Sequence, residues 1–493
     1  MISLQTDNRT LNIKQTIFEH FIFPFKLNPQ ILNQINSSFI SFEQFRDIAQ
    51  KYQVSNIDAD IIFTFFQLAL ENQPTVERKI VDVKQLSLFL SLQNFNHAGR
   101  HSIFENININ DLKYQERQRQ PMNSYSPLNS PRAKTMRVQT QQNDMQQVIQ
   151  FVKSNIKDWM SLLTNNQETI TTQEFNLLSL ILYNEQKSIS QLIFDRTNKL
   201  GKEIVSEWTI KNIQCQEYAS TICGFTKSVT IKNNVGEDLK ITQCDDSMIY
   251  IDCCVNTLSI SQCTNCQIFV GSVRMITSIT SCEKITVCVA SNYIKISNSI
   301  DSTIHYYGSY SPILYGDCRS IILAPNNSNT EKTLQRLREA QIPINKQCRD
   351  KYQKPLIIGQ SKIDWSLLPI DDFSKFILPE SHFGCIDSPL ILECNFDIDK
   401  MNKEITEKKI LTQQMNYEKI VLPLLAPPEY IKAVYDRYQL FSSIQAQIKQ
   451  SNLKEENQKL LQNAIQGNFR EWLVSTGSIK GISDLVKLID QEQ

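Results

Sequence analysis

Pairs of mostly apolar residues, separated by a single residue, recur between about Ala219 and Pro325. Each pair is followed by a small anchor residue, and each anchor by a second pair at a constant offset. The anchors are Cys244, Cys263, Cys282, Ser299 and Cys318, which recur every 19, 19, 17 and 19 residues. The second pairs are Ile249/Ile251, Ile268/Val270, Val287/Val289, Ile304/Tyr306 and Leu323/Pro325.

Two short period-2 strands in a repeat near 20 residues, without a helix-length segment, predict a right-handed parallel β-helix. Strands of successive turns then stack about 4.8 Å apart, so equivalent residues form columns. A looser turn, Ala219–Gly224 with Val229–Ile231, is expected to cap the stack. The predicted inward columns are Leu239, Leu258, Ile294 and Ile313, then Ile241, Ile260, Ile279 and Ile296, with the anchors at a corner.

Residues between the inward positions should point outward, because side chains alternate along a strand. Lys295 lies between Ile294 and Ile296, so we expect it at the surface, in a column with Lys240, Ser259, Ser278 and Leu314. A second outward column is apolar, which predicts either a docking surface or, as we favour, coverage by the segment from Cys348 onward. This column contains Tyr250, Phe269, Cys288, His305 and Ala324.

Ten of the thirteen cysteines lie between Cys215 and Cys318, mostly at repeat positions. Buried, reduced cysteine behaves as a small apolar residue, which suits a β-helix corner. The alternative is a metal site, for which the chain offers a single C-x-x-C. We favour core packing and expect no metal or other cofactor. The candidate metal ligands are Cys253, Cys254, Cys263 and Cys266.

Helical patterns precede the repeat. Ser41-Phe-Glu-Gln44 has the form of a capping box, and Val83 to Leu92 is an apolar helix pattern. A second helical region starts near Gln147, with a capping box at Thr171 to Glu174 and a third helix expected from Ile189. This second region is expected to close the open end of the β-helix.

Between these regions, Lys113 to Asp144 is rich in Gln, Asn, Ser and Pro and predicts disorder. We interpret this segment as a solvated linker. The alternative is that its basic residues contact an acidic surface. Ser126 and Ser130 precede prolines and are candidate phosphorylation sites. The basic residues are Lys113, Arg117, Arg119, Arg132, Lys134 and Arg137.

The chain of 493 residues should therefore be an α+β multidomain protein, with the β-helix between N-terminal and C-terminal helical regions. Zero net charge argues against nucleic-acid binding, and the absence of a signal pattern or a long apolar run argues against membrane insertion. The predicted domains are a helical region (1–106), the linker (107–145), a helical cap (146–212), the β-helix (213–342) and a C-terminal region with two terminal helices (343–493).

The repeat resembles the tubulin-binding cofactor C family, whose shared C-CAP/cofactor C-like domain is a β-helix. The resemblance rests on Cys318-Arg-Ser-Ile-Ile-Leu-Ala-Pro325 and on Ile296-Ser-Asn-Ser299. Two stretches of the tail, Pro369 to Pro379 and Phe469 to Gly477, resemble members that carry a helical N-terminal part before this domain. The resemblance covers roughly residues 215–490.

Some members accelerate GTP hydrolysis by tubulin or Arf-like GTPases with an arginine in a Gln-x-x-Arg motif on the β-helix face. Here the matching positions are Asn292 and Lys295. Lysine lacks the planar fork that grips two phosphate oxygens, so the resemblance implies weak or absent GTPase activation. Lys295 is otherwise interpreted as an ordinary solvated lysine.

Other enzyme classes find little support in the sequence. The five histidines are scattered, and no H-E-x-x-H, nucleophile elbow or Gly-rich phosphate loop occurs. A carbohydrate-active β-helix needs clustered carboxylates on one outward face, and Asp245, Asp246 and Asp252 are the sole candidates.

We therefore interpret the chain as a non-catalytic cytoskeletal protein. The resemblance implies that it acts in centrosome or basal body positioning, anchoring and microtubule organisation, in the cytoplasm and cytoskeleton, at a centrosome, basal body or spindle pole. Partners would be cytoskeletal or centrosomal proteins, with tubulin or an Arf-like GTPase as candidates. The alternative is a GTPase-activating regulator of tubulin or Arf-like GTPases. The binding-face candidates are Lys240, Lys295, Tyr250, Phe269 and His305.

Overall fold

A computed structural model gives the architecture. It describes residues 10–25, 29–35, 37–71, 80–95, 131–194, 197–216, 220–328, 330, 332–359, 363–379, 426–450 and 455–475. Ser126, Ser130 and the basic residues Lys113, Arg117 and Arg119 lie outside this described part, so the predictions made for them stay predictions.

The middle of the chain winds into a parallel β-helix of about six turns, which confirms the predicted fold. Consecutive turns pair in parallel with the register set by the repeat, for example Leu239 opposite Leu258 and Ile241 opposite Ile260. The strands are Ser220–Cys223, Val229–Lys232, Asp238–Thr242, Met248–Ser261, Gln267–Thr280, Thr286–Ser297, Thr303–Tyr307, Ile313–Tyr315 and Cys318–Pro325.

The predicted inward columns form the core of the β-helix, except in the last predicted turn. There Ile296 pairs with Leu314, and Lys295 pairs with Ile313, so Leu314 points inward and Ile313 outward. The prediction was wrong by one position because three residues lie between Leu314 and Cys318, whereas two lie between Ile296 and Ser299. The extra residue is taken up at Gly316, where φ is +74° and an added Cβ would lie 2.3 Å from Asn298 Oδ1.

The anchors occupy one corner of the β-helix, and their side chains point inward. Cys263 donates a thiol hydrogen bond to the Ser261 carbonyl, and Ser299 makes the equivalent hydroxyl bond to Ser297 at 2.9 Å. Residues on both sides of each anchor have left-handed backbone, with φ of 54° at Gln262 and 53° at Asn265. The described cysteines form no disulfide, and the predicted core packing of the anchors is confirmed.

The β-helix extends beyond the predicted boundary at residue 342. Leu356–Ile357 pairs with Ile313–Tyr315, and Ile363–Leu367 pairs with Cys318–Pro325, so these strands cover the last turn. Sequence spacing misses this closing turn because the inserted helices Thr333–Glu339 and Lys346–Asp350 break the repeat.

The regions before the β-helix fold together around one core that includes Phe18, Phe66, Trp159 and Leu163. Both predicted capping boxes, at Ser41 and Thr171, are confirmed. The α-helices are Gln15–His20, Phe42–Lys51, Asn56–Glu71, Val83–Leu92, Pro131–Leu163, Thr172–Asn176 and Lys202–Asn212.

Short strands join these helices, so the N-terminal part is not purely helical. Leu11–Ile13 pairs with both Leu182–Tyr183 and Ile213–Gln214. The helix expected from Ile189 is a single 3-10 turn, Ile189–Leu192, because the strand Lys199–Gly201 soon pairs with Thr169–Thr171. Smaller elements are the strands Phe39–Ile40 and Val81–Asp82 and the 3-10 turns Pro29–Gln34 and Leu177–Leu180.

The helix Pro131–Leu163 begins inside the segment predicted to be a disordered linker. The prediction of disorder is therefore wrong from Pro131 onward. Proline suits the first position of a helix, and the residues up to Gln147 extend a helix whose later turns are packed. The later turns of this helix pack against the first hundred residues. That the second helical region also closes the open end of the β-helix stays a prediction.

Two long helices, Pro428–Gln450 and Glu455–Ser475, form the end of the described chain, as the sequence predicted. Tyr430, near the start of the first, packs on Phe373. No helix in the described part of the chain has the length and hydropathy needed to cross a membrane.

Candidate binding faces of the β-helix

The first outward column is covered by the N-terminal region. Lys295 points away from the β-helix core, as predicted, but it is 2% exposed, so the prediction that it is displayed at the surface is wrong. Its Nζ donates to the Ile22 carbonyl at 3.3 Å and lies 5.0 Å from the centre of the Phe23 ring. A carbonyl and an aromatic face both favour a cation, so this pocket accommodates a buried ammonium group.

The remaining polar residues of the first column are also bonded to the N-terminal region. Glu19 accepts from Lys240 Nζ at 2.6 Å and from Ser259 Oγ at 3.2 Å. The next residue, His20, is joined to Ser278 Oγ by a hydrogen bond of 2.7 Å. Residues 19–23 thus follow the column from turn to turn, and Lys240 is largely covered.

Apolar contacts surround this polar row. Phe65 from the helix Asn56–Glu71 lies 5.4 Å, centre to centre, from the Tyr293 ring and 4.7 Å from the Phe23 ring. Met275 and Ile276 of the β-helix belong to the same buried cluster as the N-terminal helices. The two parts of the chain therefore share a continuous hydrophobic core.

Asn292, at the position of the motif's glutamine, is buried, and its side chain forms hydrogen bonds with other parts of the fold. Its Nδ2 donates to the Arg274 and Ala340 carbonyls at 2.8 and 2.9 Å, and its Oδ1 accepts from Ser309 Oγ. These bonds tie the strand Thr286–Ser297 to the end of the helix Thr333–Glu339.

The second outward column is covered by the C-terminal segment, as we favoured from the sequence. Residues 373–378, which we call the strap, run across the turns without forming helix or strand. Phe376 and Leu378 are buried against Tyr250 and Phe269, and the Phe269 and Phe376 rings lie 6.1 Å apart. Met248 and Cys288 complete the apolar cluster.

His305, in the same column, lies beneath the start of the strap. Its Nδ1 donates to the Pro325 carbonyl at 3.1 Å, and its ring faces Phe373. Burial lowers the pKa of His305 to about 4, although the Pro325 carbonyl opposes this shift. His305 is therefore neutral near pH 7, with one ring nitrogen committed to a backbone partner.

The third side of the β-helix is covered by the helix Thr333–Glu339. Arg336 donates to the Asp252 carbonyl at 2.6 Å and lies 3.7 Å from its carboxylate, while Ser272 Oγ donates to the Arg336 carbonyl. Asp252 is fully buried, and burial raises the pKa of its carboxyl group against the opposing effect of Arg336. It is thus separated from Asp245 and Asp246, which lie at the anchor corner.

The anchor corner is the part of the β-helix where outward side chains reach solvent in a continuous row. Its charges are mixed, and Asn265 Nδ2 donates to Asp246 Oδ1 across adjacent turns at 2.8 Å. Within the described residues, no group of three or more His, Cys, Asp or Glu side chains could hold a metal ion. The exposed residues of this corner include Asp245, Thr264, Asn265, Lys284, Asp301 and Arg319.

Sequence reasoning found the columns but missed the residues that cover the first one. Glu19 and His20 lie next to apolar positions of a short helix, and Phe23 follows its end; nothing in that pattern shows which of these side chains contact the β-helix. Phe376 was part of the recognised tail, yet its place over Phe269 required the structure. The role of the five predicted binding-face residues in binding stays a prediction.

The sequence model described as tubulin binding cofactor C matches residues 236–353. This range coincides with most of the β-helix and with the helices Thr333–Glu339 and Lys346–Asp350. Residues 236–353 therefore match the tubulin binding cofactor C (TBCC) domain, which agrees with the resemblance inferred from the repeat.

More specifically, the chain is similar to curated proteins named TBCC domain-containing protein 1. The protein of Rattus norvegicus is 23% identical over 273 residues, which is 54% of this chain and 41% of the relative. That of Xenopus tropicalis is 21% identical over 326 residues (65% and 52%), and that of Homo sapiens is 22% identical over 257 residues (51% and 39%). The chain thus spans about half or less of the length of these relatives.

Proposed function

We propose that this protein is a non-catalytic, tubulin-cofactor-like cytoskeletal protein that acts at the centrosome or basal body, where it helps to position and anchor the organelle and to organise linked microtubules. The TBCC domain and the similarity to TBCC domain-containing protein 1 support this class of function. The β-helix serves as a rigid platform for cytoskeletal or centrosomal partners, among which tubulin and an Arf-like GTPase are candidates.

The observation that carries the non-catalytic part is the burial of the Lys295 amine. A side chain that stabilises phosphoryl transfer in trans must enter the nucleotide site of its partner. Lys295 instead donates to the Ile22 carbonyl beneath the Phe23 ring, inside the shared core. To act on a GTPase it would have to leave a pocket that is part of that core.

Single-turnover GTP hydrolysis by tubulin and by Arf-like proteins tests this proposal. We expect the full chain to change the rate less than about twofold, against about 10³ to 10⁵ for an arginine supplied in trans. Lys295→Met, which keeps an unbranched apolar stem, should behave like the wild type. Lys284→Met at the exposed corner is the matched control.

The alternative, a GTPase-activating regulator, predicts the opposite pattern. The wild type and Lys284→Met would both accelerate hydrolysis, and Lys295→Met would lose most of the acceleration. That result would overturn the non-catalytic proposal.

Fluorescent tagging of the chain in cells tests the proposed site of action. We expect a signal at centrosomes or basal bodies, and a uniformly diffuse signal would contradict that site of action.

A further inference from the structure

The second outward column forms an apolar groove that an extended piece of chain already occupies. Its floor consists of Met248, Tyr250, Phe269 and Cys288, with Val229 and Ile231 partly buried beside them. The parallel ladder aligns these residues turn by turn, with Tyr250 opposite both Ile231 and Phe269. The β-helix therefore builds this floor from its own backbone pairing, independently of the strap.

The strap binds this floor as an extended peptide would. Phe376 and Leu378 are buried, whereas Ile377 between them is 59% exposed, which is the alternation of an extended segment lying on a surface. Two backbone contacts fix its register: the Phe376 amide donates to the Asn327 carbonyl at 3.0 Å, and Asn327 Nδ2 donates to the Ser374 carbonyl at 2.8 Å. Side-chain pockets with a few main-chain bonds are the usual elements of peptide recognition.

The strap is suited to leave without disturbing the β-helix. Its residues belong to neither helix nor strand, so no rung of the parallel ladder depends on them. Phe373, the first residue of the strap, packs on Tyr430, and the part of the strap over the floor is held by two buried apolar side chains, Phe376 and Leu378. Two such side chains contribute little against the conformational entropy lost when the segment is ordered. Segments of this kind open locally at a small fraction of the global unfolding free energy.

We propose that this groove is a docking site for an extended segment of a partner protein that presents Phe-x-Leu anchors, and that the strap is its competing occupant within the chain. The chemistry of the ligand follows from the occupant, whose aromatic and aliphatic side chains are spaced two residues apart on one side. The helix Pro428–Gln450 keeps the strap close to the groove, because Tyr430 of the helix packs on Phe373, the first residue of the strap. This site does not depend on the cytoskeletal role proposed above.

Fluorescence anisotropy with a labelled synthetic peptide of residues 371–379 tests the site on the full chain. Phe376→Ala/Leu378→Ala removes both anchor side chains of the strap, so we expect the peptide to bind this variant about 10- to 100-fold tighter than the wild type, as for a competent state populated at 1–10%. Ile377→Ala, at the exposed position, should match the wild type. A peptide with alanine at both anchor positions should not bind.

The proposal is overturned if the double variant keeps its circular dichroism spectrum and cooperative melt yet fails to bind the peptide, or binds it no better than the wild type does. Concentration-dependent dimers of the wild type in light scattering would assign the groove to the strap of a second copy instead, and would overturn a separate partner.

Hydrogen exchange of the wild-type protein keeps the test decisive should the double variant fail to fold. We expect the Phe376 amide to exchange at least about 100-fold faster than the Phe269 amide in the parallel ladder, because the strap opens locally. Equal protection of the two amides would show that the strap is inseparable from the core, and the docking site would be ruled out.

Discussion

At the scale of single residues, the environment of Lys295 is decided by two layers of structure. Strand alternation turns its side chain away from the β-helix core, and the N-terminal region then covers it. The amine keeps a carbonyl partner and an aromatic face, which offset part of the cost of removing a charge from water. The position at which the family resemblance implies a catalytic residue is thus a structural contact in this protein.

Lys295→Ala should lower the free energy of unfolding by about 2 to 4 kcal/mol, since it removes a buried stem and leaves the Ile22 carbonyl without this donor. Urea unfolding measures the change. Lys284→Ala at the exposed corner is the control and should stay within about 0.5 kcal/mol of the wild type. If both variants were equally harmless, the burial of Lys295 would be wrong.

His305 should make stability depend on pH. Its pKa is about 4 in the folded protein, below the value of about 6.5 for an unfolded chain. Between these values the unfolded state binds more protons, so stability falls as the pH drops from about 6.5 towards 4, by about 2 to 3 kcal/mol. Urea unfolding at pH 7 and pH 4.5 should show a smaller decrease for His305→Gln than for the wild type. Equal decreases in the free energy of unfolding for the two proteins would show that His305 is not the source of the pH dependence.

At the scale of elements, local sequence patterns predicted the structure correctly where an element depends only on its own residues. Ser41 and Gln44 form the predicted reciprocal pair, with Gln44 N donating to Ser41 Oγ at 3.3 Å and Ser41 N donating to Gln44 Oε1 at 3.0 Å. The strand Ile313–Tyr315 is the opposite case. Its register depends on how the turn at Gly316 takes up one extra residue, which spacing alone does not reveal.

Ser41→Ala should lower the free energy of unfolding by about 1 kcal/mol, because the alanine leaves a helix N-terminal amide without its side-chain acceptor. Ser154→Ala is the matched control: Ser154 is exposed in the middle of the helix Pro131–Leu163, so its loss should change stability by less than about 0.5 kcal/mol. Urea midpoints of the two variants give the comparison. A cost at Ser154 as large as that at Ser41 would rule out the capping interpretation.

At the scale of the whole molecule, the N-terminal region and the β-helix form one structural unit. Phe65 contacts Phe21 and Phe23 on its own side and Tyr293 on the β-helix. An interface of this kind is a core, so the two parts should unfold together.

Phe65→Ala should lower the opening free energy of both parts by about 3 to 5 kcal/mol, because it empties a pocket in their common core. Hydrogen exchange with mass spectrometry should detect equal decreases in residues 17–23 and in the strand Thr286–Ser297. Phe39→Ala is the control, because Phe39 is 56% exposed, and it should leave the opening free energy of both parts unchanged. A decrease confined to residues 17–23 would mean that the two parts are separate units.

The sequence by itself determined the β-helix, its columns before the last predicted turn, the inward anchors and the capped helices, because each depends on contacts between residues at fixed spacing. It also predicted that the apolar column of Tyr250 and Phe269 would be covered. Tertiary structure alone decided which segments cover which side, since Glu19 and His20 meet Lys240 and Ser278 across more than two hundred residues. No local periodicity encodes such a contact, and it changes Lys295 from an exposed residue into a buried one.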